Sequence, residues 1–196
     1  MTDLKDRILD AALPDIAFDG WTDIVLERAT QKARLHKADV SRAFPNGAFE
    51  ALEYFTQRAD ARMAETLKRD YVMKDLKIRE RIATAVMVRL REQAPHREAV
   101  RRGVAVYALP WHVPAGLRAL YRTTDEMWHQ AGDTATDWNH YSKRIILSKV
   151  YMSTLMVWLN DNSPNLADTE AFLRRRIENV MQFEKLKAKV KSWRAT

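Results

Sequence analysis

The chain has 196 residues, 46% of them hydrophobic and 30% charged, the balance of a sequence that buries a core rather than one that stays disordered. It contains no cysteine, which excludes a disulfide framework, a thiolate metal site and a cysteine nucleophile. The net charge of +7 is gathered at one end: residues 171–196 hold eight Lys or Arg against two Glu, so an anionic partner met by that end is expected.

The first residues are charged and show neither the apolar run of a secretory leader nor the acid-poor, Arg-rich pattern of a transit peptide. A bacterial cytoplasmic setting, or an already matured organellar chain, is expected. Leu4, Ile8, Leu9, Ala11, Ala12 and Ile16 outline a first helix, strained or ended early by Pro14 and closed near Gly20. Thr22 caps a second helix reaching about Lys32, and a short third one spans about 36–43 before Phe44, Pro45 and Gly47 end the unit. The Pro-free stretch 48–69 reads as a long connecting helix.

Beyond it, Ile78, Ile82, Val86 and Leu90 repeat every four residues and mark another amphipathic helix, ended by Pro95. Further helices are expected over 96–109, 116–130, 138–160 and 168–193, with Pro110, Pro114, Gly132 and Pro164 in the breaks. Almost no period-2 alternation occurs, so the expected class is all-α with about nine helices. The domain reading is 1–47 as a helix-turn-helix-like unit, 48–170 as a helical domain and 171–196 as a basic amphipathic helix. The least charged run, 145–159, is broken by Lys149 and falls short of the ~20 apolar residues a bilayer span needs.

The helix at 138–160 carries two apolar stripes, Tyr141, Ile145, Met152, Leu155 and Leu159 on one and Leu147, Tyr151, Thr154 and Trp158 on the other. A helix apolar all round must be surrounded, so it is expected at the centre of the C-terminal core, its aromatics either packing that core or lining an apolar cavity. The last helix changes face partway. Leu173, Ile177 and Val180 form a stripe that can dock on the core, whereas Phe183, Leu186, Val190 and Trp193 lie on a displaced one flanked by Lys187 and Lys189. That second face suits an anionic membrane surface, with the lysine stems snorkelling; a solvated tail or a second subunit is the alternative.

Three short helices with a tight second turn, followed by a long helix, form a helix-turn-helix layout. The runs Ile8-Leu9-Asp10-Ala11-Ala12, Gly20-Trp21 and Val40-Ser41-Arg42-Ala43-Phe44-Pro45 resemble the N-terminal domain of TetR-type repressors over about the first sixty residues. Two positions depart from that family: Arg34 stands where a turn glycine is usual, and Ser41 where a backbone-contacting Tyr is usual. Residues 1–57 carry ten acids against seven bases, the wrong sign for a surface that neutralises phosphates. The cluster Arg28, Lys32, Arg34, Lys37 and Arg42 keeps a TetR-type transcriptional regulator as the alternative reading, although nucleic acid is not the expected partner.

From Trp111 onward the resemblance narrows. The stretch 121–128, the run Ala131-Gly132-Asp133-Thr134-Ala135-Thr136-Asp137-Trp138-Asn139-His140-Tyr141-Ser142-Lys143-Arg144, and Asn162-Ser163-Pro164 resemble the ubiquinone (coenzyme Q) biosynthesis accessory family, over at least residues 111–183. That resemblance implies a TetR-like fold that binds isoprenoid quinone or another lipid and presents a quinone intermediate to the di-iron demethoxyubiquinone hydroxylase, without catalysis and without a cofactor. It also implies a partner patch of Asp137, Asn139, His140, Tyr141 and Arg144, where His140 stands at a position that tends to be Trp in animal members. Asp133 and Asp137 can instead cap the helix that follows. Candidate lipid contacts are Trp111, Tyr121, Trp128, Leu147, Tyr151, Leu155 and Trp158; candidate membrane contacts are Phe183, Leu186, Lys187, Lys189, Val190 and Trp193. A homodimer, peripheral on the inner membrane of a bacterium, completes the expectation. Enzymatic readings find little footing, because Glu126-x-x-His129 and Asp137-x-x-His140 lack the further inward acids a di-iron bundle needs, and no nucleophile elbow or phosphate loop occurs.

Overall fold

The structure, a computed structural model, describes the backbone of residues 2–133 and 138–193 and the side chains of residues 4–133 and 140–182. Among the described residues there are nine α-helices and no strand. They are α1 (Thr2–Asp19), α2 (Asp23–Lys32), α3 (Ala38–Ala43), α4 (Gly47–Asp70), α5 (Ile78–Glu92), α6 (Arg97–Tyr107), α7 (Val113–Gln130), α8 (Trp138–Trp158) and α9 (Ala167–Trp193).

Helix α1 does not end at Pro14 but runs five residues past it. Pro14 sits on the exposed side, where the carbonyl it frees meets water, while Ile8, Leu9, Ala12, Leu13 and Ile16 are almost completely buried against α2 and α4. That packing outweighs the lost hydrogen bond. The Thr22 hydroxyl accepts from the Val25 N–H and starts α2 as expected. In the turn after α2, Arg34 has φ +54°, the left-handed conformation that explains why glycine suits this position.

Two apolar cores are built. One joins α1–α4 through Ile8, Ile16, Leu26, Phe44 and Leu52; the other joins α4, α5 and α7–α9 through Met63, Val86, Leu90, Met127, Trp158 and Leu173. Trp21 links the first to α6, its indole N–H donating to the Ala99 carbonyl at 3.0 Å. Arg102 of α6 donates to the Phe18 carbonyl at 2.7 Å.

The central element is α5, not α8. From Ile82 to Leu90 α5 is buried on nearly all sides, by α4, α7, α8 and α9. Helix α8 is covered on one side only: Leu147, Val150, Tyr151, Thr154 and Trp158 are buried, whereas Tyr141 and Ile145 are each 54% exposed and Met152 and Met156 are also open. At 100° per residue the exposed four fall within one narrow arc, so an apolar helix here presents a greasy face rather than being enclosed. On α9, Leu173 is buried and Ile177 and Val180 pack against the core. Among the described residues no helix is long and apolar enough to cross a membrane.

Candidate functional site: an apolar cavity

Helices α4–α8 leave between them a cavity of about 320 Å³, within the range of small-molecule sites. Its walls are mainly apolar: Leu52, Phe55 and Ala59 of α4, Val100 and Val104 of α6, Ala119 and Leu120 of α7, and Leu155 of α8. Small residues make the room. Gly103 of α6 lies so close to α4 that a Cβ there would approach the Leu52 side chain to 2.7 Å. The mouth is formed where Ala108, Val113, Leu117 and Met152 are exposed, and Leu109 and Trp111 of the α6–α7 turn stand open nearby in sequence.

Three wall residues, Thr56, Arg89 and Thr123, belong to a polar cluster built round Asp60. Asp60, buried on α4, accepts from Arg89 Nε at 2.8 Å, from Arg122 Nε at 3.2 Å and from the Thr123 hydroxyl at 2.9 Å. Arg122 also donates to the Thr56 hydroxyl at 3.0 Å. The Arg89 guanidinium stands 5.7 Å from the centre of the Tyr151 ring. Burial alone would lower the Arg89 pKa, but the Asp60 carboxylate at 2.8 Å outweighs it and keeps the group charged. Burial pushes the phenols of Tyr151 and Tyr107 up, so both stay neutral. One polar group here is unmatched: the buried Gln93 Oε1 has no hydrogen-bond partner.

Of the residues expected to touch lipid, Tyr151 and Leu155 line this cavity. Leu147 and Trp158 are buried in the second core instead, and Trp158 packs under the Arg97 guanidinium. Trp128 packs against that core and donates to the Lys143 carbonyl at 3.2 Å. Tyr121 is half-buried outside the cavity wall, and Trp111 is 70% exposed on the turn beside the mouth. The lining contributed by α4, α5 and α6, Arg89 and Gln93 included, was not singled out from sequence. Its signal is weak: a charge inside the otherwise apolar run 82–90, and small residues on facing helices.

At the start of α8, Arg144 is almost fully buried and holds two carboxylates, Asp125 at 2.5 Å and Asp133 at 3.0 Å. Lys143 donates to the other oxygen of Asp133 at 2.7 Å. Burial would raise the Asp133 carboxyl, but these two cations hold it below the usual range. Asp133 thus ties the loop to α8 through side chains. His140 is half-buried, 3.9 Å from Asp125, and meets the exposed Tyr141 edge-on. Asp137 and the side chain of Asn139 lie outside the described residues, as do the side chains of Phe183, Leu186, Lys187, Lys189, Val190 and Trp193. In the N-terminal unit, four of the five clustered cations face carboxylates: Arg28 with Asp19, Lys32 with Asp15, Lys37 with Glu27 and Arg42 with Asp39.

Residues 113–184, from the cavity mouth through α8 into α9, match a known family model. The match is to the COQ9 family. The chain is 33% identical over 195 residues to the mitochondrial ubiquinone biosynthesis protein COQ9 of Bos taurus and 32% to that of Homo sapiens, in each case covering 96% of this chain and 61% of the relative. The corresponding COQ9 of Schizosaccharomyces pombe is 26% identical over 198 residues, covering 96% of this chain and 74% of that protein. The chain thus spans about three-fifths of the length of the animal COQ9 proteins it matches. Among solved structures, a TetR transcriptional regulator from Nitrosomonas europaea superimposes with a TM-score of 0.73 at 24% identity, covering 90% of this chain and 97% of that one. The fold is therefore TetR-like and all-α, as the sequence pattern led one to expect, and the resemblance to the ubiquinone biosynthesis family is borne out.

Proposed function

We propose that this chain is a non-catalytic accessory protein of ubiquinone biosynthesis, which shelters an isoprenoid quinone or a similar lipid and delivers it to a membrane-associated hydroxylase. The observation that carries the reading is the cavity of about 320 Å³ among α4–α8, apolar along its walls and open through exposed aliphatic residues. Water gains little from wetting such walls, whereas an alkyl or isoprenoid chain exchanges them for apolar contact. The similarity to COQ9 proteins supplies the pathway.

The exposed Tyr141, with His140 and Ile145 beside it, is the face offered to the hydroxylase, and the buried Arg144 holds that face by its two carboxylates. The basic end of α9 brings the cavity to an anionic bilayer, on the inner membrane of a bacterium. Native mass spectrometry of the purified protein, with extraction of whatever co-purifies, tests the reading. Bound isoprenoid or phospholipid is expected; a protein that stays empty when offered ubiquinone in detergent overturns it. A DNA-binding regulator is the second reading, favoured by the helix-turn-helix fold and opposed by the excess of ten acids over seven bases in residues 1–57; a gel shift with genomic operator fragments that non-specific competitor DNA fails to abolish would restore it.

A further inference from the structure

The polar atoms that border the cavity differ in whether a guest can use them. Gln93 Oε1 is unmatched but closed even to water, so no occupant of the hollow touches it. Asp60 already accepts from Arg89, Arg122 and Thr123. Thr56 spends its one hydroxyl hydrogen on the Glu53 carbonyl, while its oxygen accepts from Arg122 and faces the Tyr107 hydroxyl at 3.5 Å. Two donors are left over. Arg89 bonds Asp60 through Nε and the Thr56 carbonyl through Nη2, but its Nη1 has no partner among the described residues. The Tyr151 hydroxyl has none either, and burial keeps that phenol neutral, with its hydrogen to give. Both residues line the cavity and are almost wholly buried, at 6% and 4% exposure, yet neither atom is sealed from water as Gln93 Oε1 is. The space they open on is the hollow itself.

The two groups are neighbours, the guanidinium standing 5.7 Å from the centre of the Tyr151 ring. A buried donor left unmatched costs more than a made hydrogen bond gains, so the occupant that relieves both supplies an acceptor oxygen. A carbonyl has two lone pairs and can accept from each. A carboxylate accepts as well, but Asp60 at 2.8 Å already balances the Arg89 charge. Only Arg122, whose side chain is 38% exposed and therefore screened by water, is left to offset a second anion in this place. A neutral acceptor carries no such cost. We infer that the cavity recognises a neutral, carbonyl-bearing lipid head, whose oxygen accepts from Arg89 Nη1 and from the Tyr151 hydroxyl while the hydrocarbon part fills the apolar remainder. This rests on the lipid-binding reading above and names the head chemistry that reading leaves open: a quinone, ketone or ester carbonyl rather than an acid.

The test uses the full chain and three probes with the same unbranched chain: 2-dodecanone, dodecane, which lacks the oxygen, and dodecanoate, which adds a charge. Displacement of a fluorescent apolar dye reads the affinities, and comparing one probe between two proteins cancels its behaviour in water. Tyr151→Phe keeps the ring and removes only the unpartnered hydroxyl, so the unliganded Tm is expected to hold. 2-Dodecanone is expected to bind this variant about fivefold more weakly, the size of one hydrogen bond, with dodecane unchanged. Arg89→Met combined with Asp60→Asn removes the guanidinium without stranding a carboxylate, and a similar loss confined to the ketone is expected; should that pair fail to fold, Tyr151→Phe decides alone. In the unmodified protein at about pH 8, where the acid is ionised, dodecanoate is expected to bind more weakly than the ketone. A ketone that loses no more than dodecane does in Tyr151→Phe means that water holds the two donors, and it overturns the inference while leaving lipid binding intact. Dodecanoate as the tighter ligand overturns the neutral head. No binding of any probe overturns the lipid-binding reading along with it.

Discussion

Asp60 and Arg89 form a buried ion pair, and the effect of losing one partner depends on where the other is left. Both side chains are about 7% exposed, so truncating Asp60 strands a cation that water cannot reach. Asp60→Ala is expected to destabilise the fold by about 3–5 kcal/mol, read by urea denaturation; a loss below about 1 kcal/mol would show that the Thr56 carbonyl and the Tyr151 ring suffice to hold Arg89. Asp161 gives a pH signature. Burial would raise its carboxyl, but the hydroxyls and backbone N–H groups of Ser163 and Thr169 outweigh that and bring it from 3.8 down to about 2. A carboxyl whose folded value lies below its unfolded value stabilises the protein fully above about pH 4, and that contribution fades as the pH falls toward 2. The amount is about 2 kcal/mol, and Asp161→Asn should remove this part of the acid slope. At Arg34, with φ +54°, substitution by Gly relieves left-handed strain at some cost in chain entropy, so a gain of up to about 1 kcal/mol in thermal stability is expected.

Elements divide into those whose pattern was legible and those whose surroundings decided the outcome. The boundaries of α2, α4 and α5 and the end of α7 follow from caps, breakers and spacing, as with Thr22, Gln93 before Pro95, and Gly132 after α7, whereas α7 starts at Val113 rather than 116, with Pro114 in its first turn, where a missing N–H costs nothing. Helix α1 shows the limit of local rules: Pro14 acts on one hydrogen bond, while five buried side chains act on the whole helix. The exchange between α5 and α8 at the centre has a similar origin. An apolar arc says that a helix wants a partner, and only the packing of the other elements says whether it gets one. Ile78 heads the apolar stripe of α5 yet is exposed, whereas Arg89 interrupts that helix and is buried. Helix α9 carries the charge asymmetry, with eight basic residues in 171–196. Truncation after Met181 is expected to abolish binding to anionic vesicles that is itself weakened by salt, measured by flotation, while leaving the core stripe of Leu173, Ile177 and Val180 in place. Vesicle binding that survives the truncation would assign the membrane contact elsewhere.

On the scale of the whole molecule, the cavity is the least legible feature, because five helices contribute to it and none of them marks it alone. Its space comes from what is missing at Ala59, Gly103, Gly116 and Ala119, and absence of bulk leaves no period to read. Space of this kind can be filled. A lipid present at a hundredfold excess over its dissociation constant stabilises the folded state by about 2.7 kcal/mol, a rise of about 5–10 °C in Tm for a chain of this size. Leu120→Trp, which places an indole among the cavity walls, is expected to cancel that rise without loss of the unliganded Tm; an undiminished rise would put the lipid elsewhere.

Helix α6 is shared property. Val100, Gly103 and Val104 form one wall of the hollow, while Ala99 grips the Trp21 indole and Arg102 grips Phe18 from the same helix. Anything that wedges this wall outward drags on the corner between the first two helices, some eighty residues away in sequence.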